Sequence, residues 1–587
     1  MPPPQKNSLG LFGLTIFTIV SLALGAYYRF PSLGERPMHT DEAILAIKSA
    51  EFQETGHFKY DPSDFHGPGL HDVTLVWSKL AGWGHSSTWT ETQLRTVTVI
   101  CGLLLLLSTL LLRDALGRLG TGLAMLLISI SPMMVYYSRY FIMEVPLVLF
   151  ITLSIAAMWR YSQGGGRWWL VLAGLALGMQ HATKETFAIN VVAAMIGFIV
   201  AKTMVGNFSP RRGGFDIGPQ RGRAVRPWLW VIVVAIITSI AIYSGGFKDW
   251  QAVKDSATTY LSYLQRSTGS GHEKPWHYYF TLIFWRKDGL IWSEAMIGGL
   301  GIVGMLYAFV GNHMKNAPRQ AFLIFLSVYT FILFTIYSFL AYKTPWSILS
   351  AQHALTLLAG VGAAIIGRAL KVEWSFSPLK FLVNVFIYMA VIIIVHTIIS
   401  FFNPSWSTYT DRILLGIFVS DALISALTKR FSRAFKISFF LGMYHLIAQT
   451  NIAIHLYAAD SRNPYVYSHT SSNLLTLLPK VRELQKIAPD DSFNVLVINR
   501  DAGWPLPWYW RDIKTVHYTT TIPETIDARV IVAELDMQPA LEAKFAGKTY
   551  TMQGPFGLRP GVMLNLWVEQ SLWDRFTLRK QQEATAK

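Results

Sequence analysis

The sequence predicts a polytopic α-helical membrane protein with a C-terminal extracytoplasmic α/β domain. Three observations carry that expectation. Of 587 residues, 52% are hydrophobic and only 15% charged, too little charge for the surface of a soluble chain of this length. Apolar runs of spanning length recur along most of the sequence. Beyond residue 460 these runs give way to short alternations of helical and strand-like pattern.

Taken in order, the first run, 9–30, follows Lys6 and carries small residues from Ser21 to Ala26. A charged motif and further spans come directly after it, so an uncleaved signal anchor is expected rather than a cleaved signal peptide. Further runs fall at 92–112, 119–137, 145–162, 168–183, 186–204, 227–245, 289–310, 320–341, 347–367, 381–401, 411–428 and 437–457. With the first, they give about 13 transmembrane helices at ~20 apolar residues per span.

Charge supports this count independently. The net charge is +16, which in another composition would point to nucleic acid. Here the cations fall in short loops. With the N-terminus inside, every expected inner loop is basic: Arg113 and Arg118; Arg160 and Arg167; the 202–226 loop; Lys315 and Arg319; Arg368, Lys371 and Lys380; and Lys429, Arg430, Arg433 and Lys436. A missed span would scramble that alternation. The expected placement is the cytoplasmic membrane, N-terminus cytoplasmic and C-terminal domain extracytoplasmic, with the bilayer rather than nucleic acid as partner. The single cysteine, Cys101, excludes an internal disulfide.

Two domains follow: a transmembrane domain, 1–460, with a long outer loop at 31–90, and a soluble α/β domain, 461–587. In the latter, Asn473–Ile487 reads as helix, Phe493–Ile498 and Ala528–Ala533 as strands, and Gln538–Phe545 as helix.

The outer segments hold the unusual residues. The first contains Met38-His39-Thr40-Asp41-Glu42, then Tyr60-Asp61-Pro62 and Phe65-His66-Gly67-Pro68-Gly69-Leu70-His71-Asp72. Adjacent carboxylates beside lipid are costly unless compensated, so Asp41-Glu42 is a site candidate. Residues 43–54 and 70–83 have mixed faces, as helices along a membrane surface would. The plainer alternative makes Thr40 or Asp41 an N-cap and Glu42 a partner of the helix dipole. A second segment runs from Tyr136 through Arg139 to Glu144 and Pro146, where a local Arg139–Glu144 pair would anchor the helix end. The third is His181-Ala182-Thr183-Lys184-Glu185. The fourth is Ala341-Tyr342-Lys343-Thr344-Pro345-Trp346, whose Lys343 and Trp346 also suit a plain interfacial anchor. By the expected topology all four lie on one membrane face.

Carboxylates and cations at that boundary suit one reaction type. An acid group takes the proton from an acceptor hydroxyl, and cations stabilise a departing phosphate. The inference is to glycosyl transfer from a polyprenyl-phosphate sugar. His39, His66 and His71, near aspartates, are candidate ligands for a divalent metal, although their spacing matches no standard zinc site.

The order of one span, an acidic pair, a surface-helical outer segment and His66-Gly67-Pro68-Gly69-Leu70 resembles the GT-C membrane glycosyltransferases. Within them it is similar to the protein O-mannosyltransferases, with their HPPL-like element, and to the aminoarabinose transferases of lipid A. Lys343-Thr344-Pro345-Trp346 and Trp504-Pro505-Leu506-Pro507-Trp508-Tyr509 resemble a prokaryotic flippase-activity-associated subfamily. The resemblance implies inverting transfer with Asp41 as general base. Glu42 and Glu144 would position acceptor or cation. Arg139, Lys184 and Lys343 would meet the donor phosphate, and His66, His71, Glu185 and Trp346 would complete substrate binding. Gly67-Pro68 replaces the proline pair, and His66 stands near a position that is lysine in the aminoarabinose branch. The Trp-Trp-Asp signature of oligosaccharyltransferases is absent, which argues against en bloc transfer to asparagine. The partners implied are a lipid-phosphate sugar donor and an acceptor protein, lipid or glycan. The competing reading is a non-enzymatic flippase or flippase accessory protein, but such a transporter would place polar residues near the midplane on paired repeats, and no repeat is evident.

Overall fold

The computed structural model describes residues 10–62, 66–205, 227–266, 271–288, 290–310, 317–372, 423–488, 493–501, 503–545 and 547–585. Two compact units emerge. The first comprises Met1–Pro31, Lys59–Asp72 and Thr96–Leu456, and the second Ser32–Phe58, Val73–Arg95 and Tyr457–Lys587.

The first unit is helical and makes the chain an integral membrane protein. Among the described residues, seven helices are long and apolar enough to cross a membrane, or eight if the bent pair Arg118–Ile130 and Pro132–Ser138 is one span. Pro227–Tyr243 and Ala295–Val310 are shorter apolar helices. The expected spans up to 367 coincide with helical segments, with two corrections: 119–137 is the bent pair rather than one helix, and one start moves. The 289–310 span does not begin at 289, because β1 (Arg286–Asp288) and β2 (Leu290–Trp292) form an antiparallel hairpin and the helix begins at Ala295. Glu294 stands directly before that helix, outside its apolar run. The expected 381–401 span, and 411–428 up to residue 422, lie outside the described residues.

Small residues let these helices approach closely. A Cβ on Gly362 would stand 2.0 Å from the Leu300 carbonyl oxygen, and one on Gly304 would stand 2.2 Å from that of Leu358. The helices Ala295–Val310 and Leu349–Ala369 therefore pack backbone to backbone.

The second unit has a five-stranded sheet in the order β4-β3-β5-β7-β6. β3 (Val495–Ile498) pairs in parallel with β4 (Val516–Thr519) and β5 (Val530–Glu534). β7 (Val562–Glu569) runs antiparallel to β5 and to β6 (Tyr550–Arg559). Val495, Val497, Val530 and Val532 alternate along their strands onto one face, where they bury Leu477, Val481 and Leu484 of the helix Leu474–Ile487. That period-two alternation against a 3.6-residue stripe is what makes this a layered α/β structure. The expected strands and the 473–487 helix are present within two residues of their expected starts, whereas the 538–545 helix shortens to Gln538–Glu542. β4, β6, β7 and the final helix, Gln570–Thr585, were not expected.

Candidate functional site

The acidic pair divides into one buried and one open carboxylate. Glu42 is fully buried and Asp41 has a half-exposed side chain, at 50%. Both sit in the first turn of the helix Thr40–Thr55. The N-cap is His39, not Thr40 or Asp41. Its Nδ1 accepts from the Asp41 N–H (3.1 Å), while Glu42 Oε2 accepts from the His39 N–H (3.0 Å). An imidazole thus takes the place of the usual short hydroxyl in a capping box. His39 Nε2 donates to the Tyr467 carbonyl at 3.1 Å, so both ring nitrogens are engaged and the neutral Nε2–H tautomer is assigned by that network.

Glu42 is held by two arginines. Arg95 Nε and Nη2 donate to Oε1 and Oε2, both at 2.8 Å, and Arg36 Nη2 donates to Oε1 at 3.1 Å. Arg95 also donates to the Arg36 and Pro37 carbonyls at 2.8 and 3.1 Å. Burial alone would raise the Glu42 carboxyl, but the two guanidinium charges and their hydrogen bonds outweigh it and hold the group far below the usual carboxylate range. The preceding residue is fixed from the sheet side: Met38 N–H donates to the Tyr509 hydroxyl (2.8 Å) and its carbonyl accepts from Thr470 Oγ1 (2.6 Å). Trp508 Nε1 donates to Glu91 at 2.7 Å, and the Arg511 guanidinium lies over the Trp508 ring. The aromatic run 504–510 therefore fastens the segment that presents Asp41.

The remaining candidates belong to the first unit. Glu144 and Lys184 are both buried and form a direct ion pair. The carboxylate expected beside Arg139 therefore has a lysine partner from a distant part of the chain. Arg139 Nη1 donates to the Tyr28 and Arg29 carbonyls, each at 3.1 Å, at the C-terminal end of the first helix. Beside Lys184, Glu185 accepts from His66 Nδ1 at 2.6 Å. Burial would raise the Glu185 carboxyl, but His66 and Lys184 bring it below its usual value.

Gly67 explains that meeting. A Cβ there would lie 2.3 Å from the Ala182 carbonyl oxygen and 2.6 Å from the Tyr243 hydroxyl. The Gly-Pro in place of a proline pair lets the loop press onto Ala182, setting His66 beside Glu185. His71 is buried in the first turn of the helix that follows, Gly69–Leu80. Its neighbour Asp72 has a buried Oδ2 with no hydrogen-bond partner among the described residues, and burial pushes its carboxyl up to about 7. Lys343 Nζ donates to the Leu340 carbonyl and to that of Lys274 (3.0 Å). Trp346 packs edge-on against Tyr137, at 6.1 Å between ring centres, which joins the Lys343 turn to the Arg139 turn.

Three groups that the sequence reading missed hold the Arg139 turn in place. The helices Arg118–Ile130 and Pro132–Ser138 meet at a 60° bend, which frees backbone groups on either side. On the carbonyl side, Arg29 donates to Ile128 and Ser129 (3.1 and 3.3 Å) and Thr450 to Ile130 (2.6 Å). On the amide side, the buried Glu294 accepts from Met133 N–H (2.9 Å), Ser131 Oγ (2.6 Å) and Gln352 Nε2 (2.9 Å). A broken helix in an apolar surrounding needs such partners. Glu294 was legible as a lone acid inside an apolar run.

Among the described residues, no three His, Cys, Asp or Glu side chains gather as a metal site would require.

Residues 71–248 match the family model for dolichyl-phosphate-mannose-protein mannosyltransferases. Among solved structures, the chain is similar to ArnT from Cupriavidus metallidurans bound to undecaprenyl phosphate, with a TM-score of 0.57 and 16% identity, covering 95% of this chain and 98% of that one. For the apo state of the same protein the TM-score is 0.54 at 16% identity, with coverage of 94% and 97%. The archaeal oligosaccharyltransferase AglB from Archaeoglobus fulgidus, in complex with an inhibitory peptide and a dolichol-phosphate, gives 0.50 at 10% identity, with coverage of 93% and 73%. No curated protein matches by sequence. What the likeness shows is a shared fold with these solved structures.

Proposed function

We propose that this protein is an inverting membrane glycosyltransferase that moves a sugar from a polyprenyl-phosphate donor to an acceptor hydroxyl, with Asp41 as the general base. The observation that carries this reading is the division of labour within the acidic pair. Glu42 is consumed by Arg36, Arg95 and the His39 amide, and its effect is to fix the helix start. Asp41, one residue away, keeps a half-exposed carboxylate. A base needs that openness to reach a proton, and the fixed backbone supplies its orientation.

In the reaction, Asp41 takes the acceptor hydroxyl proton as that oxygen attacks the anomeric carbon from the face opposite the phosphate. The bond from that carbon to the phosphate oxygen breaks, and its electron pair leaves with the polyprenyl phosphate. Lys184, Arg139 and Lys343 are the proposed counter-charges for that phosphate. Glu144 sets the Lys184 ammonium, and Glu185 sets His66. His71 and Trp346 are assigned to substrate binding. The lipid phosphates named with ArnT and AglB support the donor class.

The test uses protein in nanodiscs with a panel of labelled polyprenyl-phosphate sugars. Wild type should turn over at least one donor, and Asp41→Asn should lose roughly two orders of magnitude or more with its melting unchanged. Full activity in Asp41→Asn would remove the assigned base. Binding without turnover of any donor would overturn the enzymatic reading.

A further inference from the structure

We infer a buried water site in the membrane-spanning part of the first unit, held by His353 and shared with Thr152 and Tyr329. The helices Glu144–Ser162, Ala317–Phe339 and Leu349–Ala369 enclose a cavity of about 20 Å³, whose described lining sets Thr152, Tyr329, Ser350 and His353 among aliphatic residues.

His353 is the observation that points to a ligand. The residue is 3% exposed, both of its ring nitrogens are buried, and neither has a hydrogen-bond partner among the described residues. An imidazole in an apolar surrounding is costly unless its polar atoms are satisfied. Leucine or phenylalanine would fill such a place without that cost, so packing alone does not account for a histidine here.

Donors and acceptors identify the ligand. A neutral imidazole offers one N–H and one bare nitrogen. The two hydroxyls on the cavity wall have already committed their protons inside the protein: Thr152 Oγ1 donates to the Val148 carbonyl and Tyr329 Oη to Asn190 Oδ1, both at 2.8 Å. Each keeps only lone pairs for the cavity, and neither can donate to the bare nitrogen. Water has two protons and two lone pairs, so it can meet either ring nitrogen while donating to a hydroxyl oxygen. A single water needs roughly 10–15 Å³ and about two to four polar partners, and this cavity supplies both. A cation would find no carboxylate among the described lining residues.

The site lies beneath the candidate functional residues. Thr152 follows Glu144 by eight residues on one helix, Tyr329 precedes Tyr337 by eight on another, and His353 follows Trp346 by seven. These spacings are about two turns, roughly 11–12 Å. Tyr337 packs edge-on against Tyr279, whose hydroxyl donates to the Thr344 carbonyl at 3.0 Å. One water thus ties together the three helices that carry Glu144, Tyr337 and Trp346.

Proton-detected solid-state NMR of the full chain in liposomes, with ¹⁵N-labelled histidine, tests this site. The His353 ring signals, assigned by their loss in His353→Gln, should show a cross-peak to water at short mixing time. Thr152→Val keeps the shape and removes one acceptor of the water. It should weaken that cross-peak several-fold and shift the ring nitrogens. If His353→Gln fails to fold, the signals that move in Thr152→Val make the assignment. His353 signals without a water cross-peak, or histidine signals that Thr152→Val leaves unmoved, would overturn the site.

Discussion

Arg95→Met tests how the candidate base is held. Arg95 is buried, makes a two-point contact with Glu42 and donates to three backbone carbonyls, those of Leu33, Arg36 and Pro37. Methionine keeps much of the volume and deletes these interactions. Breaking a buried pair from one side costs about 3–5 kcal/mol, because the remaining charge stays desolvated. Arg36 still answers one Glu42 oxygen at 3.1 Å, which places the expected loss near the lower figure, ~3 kcal/mol. Amide exchange read on peptides covering Thr40–Thr55 should quicken roughly a hundredfold in consequence. Transfer should fall with it, since the first turn presents Asp41. Pairing the change with Glu42→Gln removes the stranded anion, so the double variant should lose clearly less than the two single losses combined. The acid response has a defined sign. The folded Glu42 carboxyl lies below its unfolded value of about 4.3, so its contribution is present above that pH and is lost as pH falls toward the folded value; Arg95→Met should reduce this acid-dependent loss. Exchange accelerated less than tenfold, or a double variant no better than the sum, would refute the assignment of Arg95–Glu42 as the clamp.

Three further outcomes are expected. Gly67→Ala should destabilise by about 1–3 kcal/mol and depress transfer, because its Cβ would meet the Ala182 carbonyl at 2.3 Å; Gly299→Ala, whose Cβ meets nothing within 4 Å, is the control, and equal melting temperatures would contradict the packing. Glu294→Ala strands a hydroxyl, an amide N–H and a glutamine side chain, so a loss of about 3 kcal/mol or more is expected, with Glu294→Gln milder by melting temperature. Asp72 has its folded carboxyl raised to about 7 against roughly 3.9 when unfolded, so stability should fall as pH climbs across that window, with the penalty complete above it. Asp72→Asn should therefore stabilise at pH 8 and leave pH 4 nearly unchanged; the same melting shift at both would show that Asp72 does not titrate there.

What the sequence disclosed, and what it withheld, follows from the range of each interaction. Helix positions were legible because apolar length is a local property, and the acidic pair was legible because two charges beside a span are conspicuous. The two carboxylates nevertheless looked equivalent. Their difference depends on Arg95, 53 residues further along the chain from Glu42, and on Tyr509, which accepts from the Met38 amide; no periodicity connects these positions. The cap failed for a related reason. Thr40 and Asp41 are better capping residues by preference, but His39 alone has an acceptor aimed at the Asp41 N–H and a second nitrogen tied to Tyr467. Glu144 meets Lys184, 40 residues further along the chain, a partner that no spacing disclosed. In each case the sequence identified the charged group and tertiary contact determined its partner. That choice of partner bears most directly on mechanism: a glutamate bound by two guanidiniums can orient the helix, which leaves the half-exposed aspartate beside it as the base this proposal requires.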